Sequence, residues 1–398
     1  MKEPRLPDGA MLVISRLNHA GHRADIVGGC VRDFLLGNTP SDYDITTDAT
    51  PEQIKKVFFD LRTIDVGVRH GTVTVMIEGE PFEITTYRRD GEYRDHRHPE
   101  TVSFTDRLVE DLSRRDFTMN AIAYNPKDGF TDLYHGTEDI KKSIIRAVGD
   151  PRRRFDEDAL RILRAIRFSS VLNFDIESQT AAAAKECASF LDSISGERIA
   201  VEWKKLISGV SAYRVISEFG SILSEFLGLV EIRIPDRFLF DSSEPFIREL
   251  SIFVLSTHEP AEAFAYAAER MKYDGKRYKS GVSVLSSLDF DIDGSDASLL
   301  RLLMRLGEDN ARLNVKLRIT LGKAEEKLLQ SLNKVIEKNL PYRISDLKIS
   351  GRELNSMGIK GVATGVALSR LLEMLIEGET ENTTESLLAA ALEFTDLK

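Results

Sequence analysis

The pattern of apolar and polar positions changes character near residue 143. Before that point, strand-like runs at Thr72–Ile77, 82–87 and Val102–Phe104 alternate with short helical stretches and are separated by glycines. Runs rich in β-branched and aromatic residues and bounded by turn formers are typical of strands. The mixture predicts an α+β region with a mixed sheet.

Beyond residue 150 the spacing becomes helical. Leu160, Leu163 and Ile166 recur every three residues, and Asp156 is the predicted N-cap of their helix. Most later segments share this periodicity, so the rest is predicted to be all-α. Glycine and proline clusters then suggest four parts, which are a head (1–143), a helical neck (144–208), a helical body (209–335) and a helical tail (336–398).

A glycine pair follows the first apolar run of the head. Ile26 and Val27 form a predicted strand that enters a turn at Gly28 and Gly29, followed by a helix over 31–36 that Gly37 and Asn38 end. The start of such a helix, together with Arg32, suits a phosphate chain. A lone glycine pair, however, usually marks only a tight turn.

Two alternating carboxylates come next. Asp42 and Asp44 are two residues apart on a predicted strand, so both would project from one face and bind one or two hard cations. Alone, an Asp-x-Asp is usually a solvated edge. In this order and spacing, the glycines and carboxylates together predict a nucleoside triphosphate held on magnesium. No Walker-type run occurs, which disfavours a P-loop ATPase.

An arginine pair and an acid–base pair lie further along. Arg114 and Arg115 stand at the start of a predicted helix, where guanidinium groups can neutralise a triphosphate, although a surface helix start is the commoner meaning. Asp158 and Arg161 are three apart at the start of a helix, which makes them neighbours on its surface.

The pair Asp158 and Arg161 allows two interpretations. One is a weak ion pair within the helix. The other is base reading, because a carboxylate accepts from the amino group of cytosine or adenine while a guanidinium donates to the adjacent ring nitrogen. Uracil and guanine present the reverse pattern. Arg164 and Arg167 rotate away from Asp158 and are predicted to contact other parts of the nucleotide or the acceptor RNA.

Composition restricts the class of protein. The 398 residues are 42% hydrophobic and 30% charged, which is ordinary for a globular chain. Cys30 and Cys187 are too few for a disulfide framework, and a reducing compartment, the cytoplasm, is predicted. No signal core or long apolar run occurs, so no membrane segment is predicted. The net charge of −10 hides a basic stretch, since residues 141–167 hold nine Lys/Arg and four Asp/Glu.

These motifs together resemble the class II tRNA nucleotidyltransferase family, which also contains the bacterial poly(A) polymerases. The similarity extends in order over roughly the first 210 residues. Its segments are Gly28 to Asp33 with Asp42 and Asp44, Arg114 to Asp116 with Asn120 and Ala121, Glu157 and Asp158 with Arg161, and Glu197 to Ile199 with Glu202 and Trp203. The resemblance implies a polymerase-beta-like head that adds C-C-A to the 3′ end of tRNA from CTP and ATP without a nucleic-acid template.

The resemblance also implies roles for individual residues. Asp42 and Asp44 would bind Mg²⁺ and carry the catalysis, and Glu83 is either a third carboxylate or an ordinary member of an alternating strand. Asp158 and Arg161 would read the base, with Arg164 and Arg167 nearby. The remaining contacts to the incoming nucleotide would come from Gly28, Gly29, Arg32 and Arg115.

Smaller features bear on which branch of the family the chain resembles. Residues 66–75 resemble the tRNA-modifying branches, and 89–99 resemble a flexible loop of CCA- and A-adding members. No His-Asp phosphohydrolase motif follows the neck, and the tail lacks the Pro-Gly turn expected near Gly361. The alternatives are an A-adding enzyme that works with a separate C-adding partner, and an inactive RNA-binding protein on the same scaffold. The motifs indicate no particular oligomeric state.

Overall fold

The computed structural model describes residues 4–65, 67–68, 71–91, 102–237, 240 and 242–394. It divides into two compact units, Met1–Phe226 and Leu227–Lys398, which are described separately. The four parts predicted from the sequence stay a prediction. None of the helices in the described ranges combines the length and the apolar character that crossing a membrane requires.

The first unit contains a mixed sheet of seven strands in the order β3-β4-β5-β2-β1-β8-β9. Its central strand β2 pairs in parallel with β5 and antiparallel with β1. Short two-stranded pairs join β6 to β7 and β10 to β11. The strands are β1 (Ala24–Val27), β2 (Asp44–Thr47), β3 (Thr63–Ile64), β4 (Thr72–Ile77), β5 (Glu80–Thr86), β6 (Arg88–Asp90), β7 (Val102–Phe104), β8 (Ile122–Asn125), β9 (Gly129–Asp132), β10 (Ile144–Ile145) and β11 (Asp175–Ile176).

Helices surround this sheet and continue beyond it. Val73, Val75 and Ile77 alternate inward along β4 and share one core with α1, α3 and the α7 residue Phe168. Two 3₁₀ turns occupy Thr118–Asn120 and Ala188–Ser193. The helices are α1 (Asp8–His19), α2 (Gly29–Leu35), α3 (Pro51–Val57), α4 (Leu108–Ser113), α5 (Gly136–Lys141), α6 (Pro151–Glu157), α7 (Leu160–Leu172), α8 (Ser178–Glu186), α9 (Gly196–Ile207) and α10 (Ala212–Leu227).

The second unit is helical in its described part. Leu299, Leu303, Leu332 and Leu371 belong to its core, which joins α14, α15 and α17. The long helix α14 is kinked at Gly307, whose φ of 70° interrupts the helix. The helices are α11 (Pro245–Ser256), α12 (Pro260–Arg270), α13 (Gly275–Leu285), α14 (Asp296–Thr320), α15 (Glu326–Glu337), α16 (Gly351–Ser356), α17 (Val362–Glu377) and α18 (Thr384–Ala391), with 3₁₀ turns at Ile344–Asp346 and Leu392–Phe394.

The α+β head and the helical remainder are confirmed, with local corrections. The predicted strands appear as β1, β4, β5 and β7, and the predicted helix 31–36 appears as α2. The N-cap assigned to Asp156 is wrong, because the helix of Leu160, Leu163 and Ile166 is α7, whose N-cap position is Ala159. The preceding helix α6 is capped by Asp150, which accepts from Arg153 N at 2.8 Å. Asp156 lies inside that helix. The short strand β11 also interrupts the region predicted to be all-α, since it extends the head by pairing with β10.

Candidate active site

The register of three adjacent strands places the main predicted residues side by side. Val27 at the end of β1 pairs with Asp44 at the start of β2, and Asp44 pairs with Glu83 of β5. Gly28 directly follows Val27, so the glycine turn lies next to the Asp44 carboxylate. The sheet therefore brings together residues that are up to 55 positions apart in the sequence.

Gly28 is held in a conformation that other residues rarely adopt. Its φ is 81° and its ψ is −138°. A Cβ atom built there would lie 3.1 Å from Arg115 Nη1 and 3.4 Å from Asp44 Oδ2. A guanidinium and a carboxylate thus approach the same bare backbone position. The absence of a side chain at Gly28 keeps the space between these two charged groups open.

The two aspartates of the predicted cation site differ in their positions, and the Asp44 carboxylate has a perturbed pKa. Asp42 lies two residues before β2, not on it, so the prediction that both aspartates share a strand face is wrong. The pKa of the Asp44 carboxyl is raised, chiefly because nearby protein atoms reduce its hydration and further because Asp42 and Glu83 are negative, while Arg115 opposes the shift. Within the described part of the chain, neither Asp44 nor Glu83 forms an ion pair.

This donor set fits a hard divalent cation. Carboxylate oxygens are the ligands that Mg²⁺ prefers, and one or two of them suffice when water and substrate phosphates complete the octahedron. A positive charge beside Asp44 would also favour the ionised form of its carboxyl. The described residues contain no group of three or more His, Cys, Asp or Glu side chains that could hold a metal ion. Asp42 and Asp44 therefore suit a cation that arrives with a phosphate ligand.

The arginine pair lies at the end of α4, where the sequence predicted the start of a helix. Asp111 is fully buried and accepts from Arg114 Nε at 2.9 Å and Nη2 at 2.6 Å. Its other oxygen lies 3.4 Å from Arg115 Nη2 and 3.3 Å from Thr46 Oγ1 on β2. Burial alone would raise the pKa of Asp111, but Arg114 and Arg115 outweigh it and the pKa is lowered.

Asp111 is a site residue that the sequence reasoning missed. It ties Arg115 to β2, the strand that carries Asp44, and thereby fixes the arginine beside the carboxylate. Arg115 Nε remains buried with no hydrogen-bond partner in the described part of the chain, so one donor of this guanidinium is available. The signal in the sequence was an acidic residue three and four positions before two arginines, the spacing of neighbours on a helix.

The candidate base-reading pair, Asp158 and Arg161, is arranged differently from the prediction. Asp158 is not on a helix, since it lies at the break between α6 and α7 with φ −144° and ψ 102°. Its carboxylate accepts from Arg198 Nη2 at 3.0 Å and from Leu160 N at 3.2 Å. Arg161 is only 8% exposed and pairs with Glu157 at 2.8 Å. Asp158 and Arg161 do not pair with each other in the described contacts, so the first of the two interpretations, an ion pair within one helix, is wrong.

Three predicted nucleotide-binding arginines converge on one aromatic ring. The guanidinium carbons of Arg32, Arg164 and Arg167 lie 5.0, 5.5 and 3.5 Å from the centroid of Phe168. Such contacts between cations and an aromatic face are attractive. Arg32 comes from α2 and the other two from α7, so Phe168 joins the glycine segment to the helical segment that carries Arg161.

Carboxylates and one amide fix the same three arginines. Arg32 donates to Asp33 at 2.9 and 2.8 Å and to Asn120 at 3.0 Å. Arg164 donates to Asp116 at 2.8 and 2.6 Å, and Arg167 donates to Glu202 at 2.8 Å. The arginines are therefore oriented before any ligand binds.

Part of the predicted site lies outside the described residues. Of the loop expected at 89–99, only Arg89, Asp90 and Gly91 are described, and the first two belong to β6. Val66, Arg69 and His70 of the segment 66–75 also lie outside. The role of that loop stays a prediction.

Comparison with known families assigns the head to a class. The model of the poly A polymerase head domain matches residues 24–146. A second model, described as the probable RNA and SrmB-binding site of polymerase A, matches residues 173–223. The chain thus has a head of the poly A polymerase type together with the segment that follows it in polymerase A.

Individual relatives narrow this class. A CCA-adding enzyme of Enterococcus faecalis is 34% identical over 392 residues, which cover 95% of this chain and 94% of that relative. A CCA-adding enzyme of Lactobacillus helveticus is 50% identical over 209 residues, or 52% of each chain. The crystal structure of the Bacillus stearothermophilus CCA-adding enzyme in complex with CTP covers 96% of both chains, with a TM-score of 0.76 and 29% identity. This chain belongs to the CCA-adding enzyme family.

Replacing Gly28 with alanine tests the open space beside Arg115. Both Gly28 and Gly37 have a φ of 81°, but a Cβ at Gly37 would meet nothing within 4 Å. We expect Gly28→Ala and Gly37→Ala each to lower the free energy of unfolding by about 1–3 kcal/mol, because both positions favour glycine. Only Gly28→Ala should weaken the binding of CTP measured by calorimetry. Equal CTP affinity in both variants would show that the space at Gly28 plays no part in binding.

The ion pair between Asp116 and Arg164 predicts an acid-dependent loss of stability. Burial would raise the pKa of Asp116, but Arg164 and Asn120 lower it from 3.8 to about 2. Because the folded pKa is the lower one, this stabilisation is present above pH 4 and is lost as the pH falls towards 2. It amounts to about 2 kcal/mol.

The measurement compares denaturant unfolding of the wild type and Asp116→Asn at pH 5 and at pH 2.5. The difference in unfolding free energy between them should shrink at the lower pH. Asp65→Asn, an exposed partner of Lys55, is the control and should keep the wild-type pH profile. A constant difference for Asp116→Asn at both pH values would contradict the assignment.

Proposed function

We propose that this chain adds C-C-A to the 3′ end of tRNA from CTP and ATP, without a nucleic-acid template and with release of pyrophosphate. The observation that carries the proposal is the convergence of Asp44, Arg115 and the bare backbone of Gly28 at one end of the sheet. The family membership agrees with it, since the relatives named above are CCA-adding enzymes.

The reaction is an in-line displacement. The 3′-oxygen of the tRNA forms a bond to the α-phosphorus, the bond between the α- and β-phosphates breaks, and the hydroxyl proton passes to solvent. Asp42 and Asp44 would hold Mg²⁺, which when bound favours ionisation of the hydroxyl and neutralises the departing pyrophosphate. The surroundings of Asp44 support this role, because a cation beside it would offset the repulsion from Asp42 and Glu83.

Arginines of the chain itself would hold the triphosphate. Arg115 has a free buried donor and lies against the space that Gly28 keeps open. Its guanidinium can bind phosphate oxygens and stabilise charge that grows on them during transfer. Arg32, Gly29, Arg164 and Arg167 would complete the cradle, and Glu83 would be a third carboxylate near the cation.

Asp158 and Arg161 would read the base. A carboxylate that accepts from the amino group of C or A, with a guanidinium as donor beside it, rejects U and G, which present the opposite pattern. Arg198 supports the role of Asp158, because the ion pair at 3.0 Å holds this carboxylate in one orientation.

The helical segments and the compartment complete the proposal. Residues 144–208 would carry the base-reading neck, and 209–335 and 336–398 would form a body and a tail that binds tRNA. In the tail, Gly358 and Gly361 have φ values of 92° and 61°, so glycine turns precede α17 where a Pro-Gly turn was expected. Both cysteines are buried free thiols, which suits the cytoplasm.

Removing either metal carboxylate tests the chemistry. We expect Asp42→Asn and Asp44→Asn to reduce Mg²⁺-dependent nucleotide addition by at least about a hundredfold, because they act on charge that develops in the transition state. Binding of tRNA, measured by gel shift, should stay near the wild-type value. Asp60→Asn, an exposed partner of Arg16, is the control. The assignment fails if both variants keep most of their activity.

Replacing Asp158 tests the choice of base. We expect Asp158→Ala to relax discrimination against UTP relative to CTP by about 1–3 kcal/mol, the range of a bidentate base contact. The assay supplies each labelled nucleotide in turn to tRNAs that end before, within and after C-C, which also separates full CCA addition from A addition alone. Asp156→Ala, on the exposed surface of α6, is the matched control. A parallel loss of CTP, ATP and UTP use would make Asp158 a purely structural residue.

A further inference from the structure

We propose that Arg154 is a positioning residue that couples base reading to triphosphate binding. This inference rests on the proposed function, since it assigns a device that links the two halves of that site. Arg154 lies on α6, and none of the motifs that predicted the site includes it. Its side chain is 11% exposed.

The two ends of the Arg154 guanidinium contact two different structural elements. Nη1 donates to the carbonyl oxygen of Ser113 at 3.0 Å, at the end of α4. Nη2 donates to Glu157 Oε1 at 2.8 Å, at the end of α6. One planar group therefore connects the segment before Arg115 to the segment before Asp158.

Glu157 passes this connection on to Arg161. Its second oxygen accepts from Arg161 Nη1 at 2.8 Å, and Arg161 Nη2 donates to the carbonyl oxygen of Arg114 at 3.0 Å. Arg161 Nη1 also reaches the carbonyl oxygen of Arg154 at 3.1 Å. The contacts start at Ser113, the last residue of α4, and pass through Arg154, Glu157 and Arg161. They return to Arg114, the next residue along the chain, and so form a ring.

The ring is favourable for two physical reasons. Carbonyl oxygens at a helix end carry partial negative charge, so two guanidinium groups there are stabilised. The side chains of Glu157 and Arg161 are 13% and 10% exposed, and at such depth a charge needs its partner. If either arginine moved, a part-buried carbonyl oxygen at the end of α4 would lose this donor.

The position of the ring produces the coupling. Arg115 follows Arg114 directly, so any shift of the Arg114 carbonyl moves the backbone of the candidate phosphate-binding arginine. Arg161 is itself the candidate base donor. A base that binds Arg161 therefore acts on the triphosphate site through the hydrogen bonds of Arg161 to the Arg114 carbonyl and to Glu157. Arg154 fixes the positions of α4 and α6 relative to each other through its bonds to Ser113 and Glu157. Small displacements of this kind carry large costs in binding and rate.

The test compares Arg154→Met, Arg154→Lys and the control Arg152→Met. Arg152 lies on the same helix, its side chain is 72% exposed, and it pairs with Glu186 outside the ring. Calorimetry with Mg²⁺ measures three dissociation constants, those of CTP, UTP and tripolyphosphate, a probe that has phosphates but no base. No tRNA is present, so these measurements do not depend on turnover.

We expect Arg154→Met to weaken tripolyphosphate binding by about tenfold and to reduce the preference for CTP over UTP by a similar factor. Arg154→Lys should recover part of both effects, because a single ammonium can reach one of the two acceptors. Arg152→Met should match the wild type in all three constants. Thermal unfolding is measured beside each titration, and Arg154→Lys carries the test if Arg154→Met does not fold.

Two results would overturn the coupling. In one, Arg154→Met changes base preference but leaves tripolyphosphate binding at the wild-type value, so that Arg154 serves one half only. In the other, both quantities stay unchanged. Failure of the proposed function has a separate signature, which is a wild-type protein that binds CTP in preference to UTP yet transfers neither C nor A to tRNA.

Discussion

The first unit depends on one electrostatic constraint, which is that each arginine of its candidate active site must have an acceptor. Burying a guanidinium without a hydrogen-bond partner costs several kcal/mol, and the candidate site contains many guanidinium groups. Each carboxylate also fixes the direction of the arginine that it binds. The entropy of ordering these side chains is lost during folding, so a ligand need not order them when it binds. The pairs are Asp111 with Arg114 and Arg115, Asp116 with Arg164, Glu157 with Arg154 and Arg161, Asp158 with Arg198, and Glu202 with Arg167.

The direction of the pKa shift distinguishes two kinds of carboxylate in the candidate active site. Asp111 and Asp116 are buried, but neighbouring arginines lower their pKa values. The pKa of Asp44 is raised, because desolvation and the charges of Asp42 and Glu83 outweigh the influence of Arg115. Neighbouring arginines pair with the first two, whereas Asp44 forms no ion pair in the described part of the chain. A carboxyl with a perturbed pKa is a recognised sign of a functional site.

Aromatic and backbone contacts turn these separate pairs into one assembly. Phe168 gathers arginines from α2 and α7, which are far apart in the sequence, and its ring belongs to the same core as the sheet. The ends of α4 and α6 are joined by the guanidinium of Arg154. The candidate residues for base reading and for phosphate binding thus lie on elements that these contacts hold together.

The sequence by itself determined which segments form helices or strands, the α+β head and the identity of most charged residues in the candidate active site. Local patterns sufficed there, because strand alternation, helix spacing and glycine turns depend on near neighbours. Only the tertiary structure decided which charges meet. Spacing predicted that Asp158 would adjoin Arg161, yet the break between α6 and α7 turned Asp158 to Arg198. Asp42 was expected on a strand and lies before it, and Asp111 was overlooked although it anchors both arginines. Such partners are chosen by long-range packing, where desolvated charges must find the nearest acceptor, and a one-dimensional pattern does not record that distance.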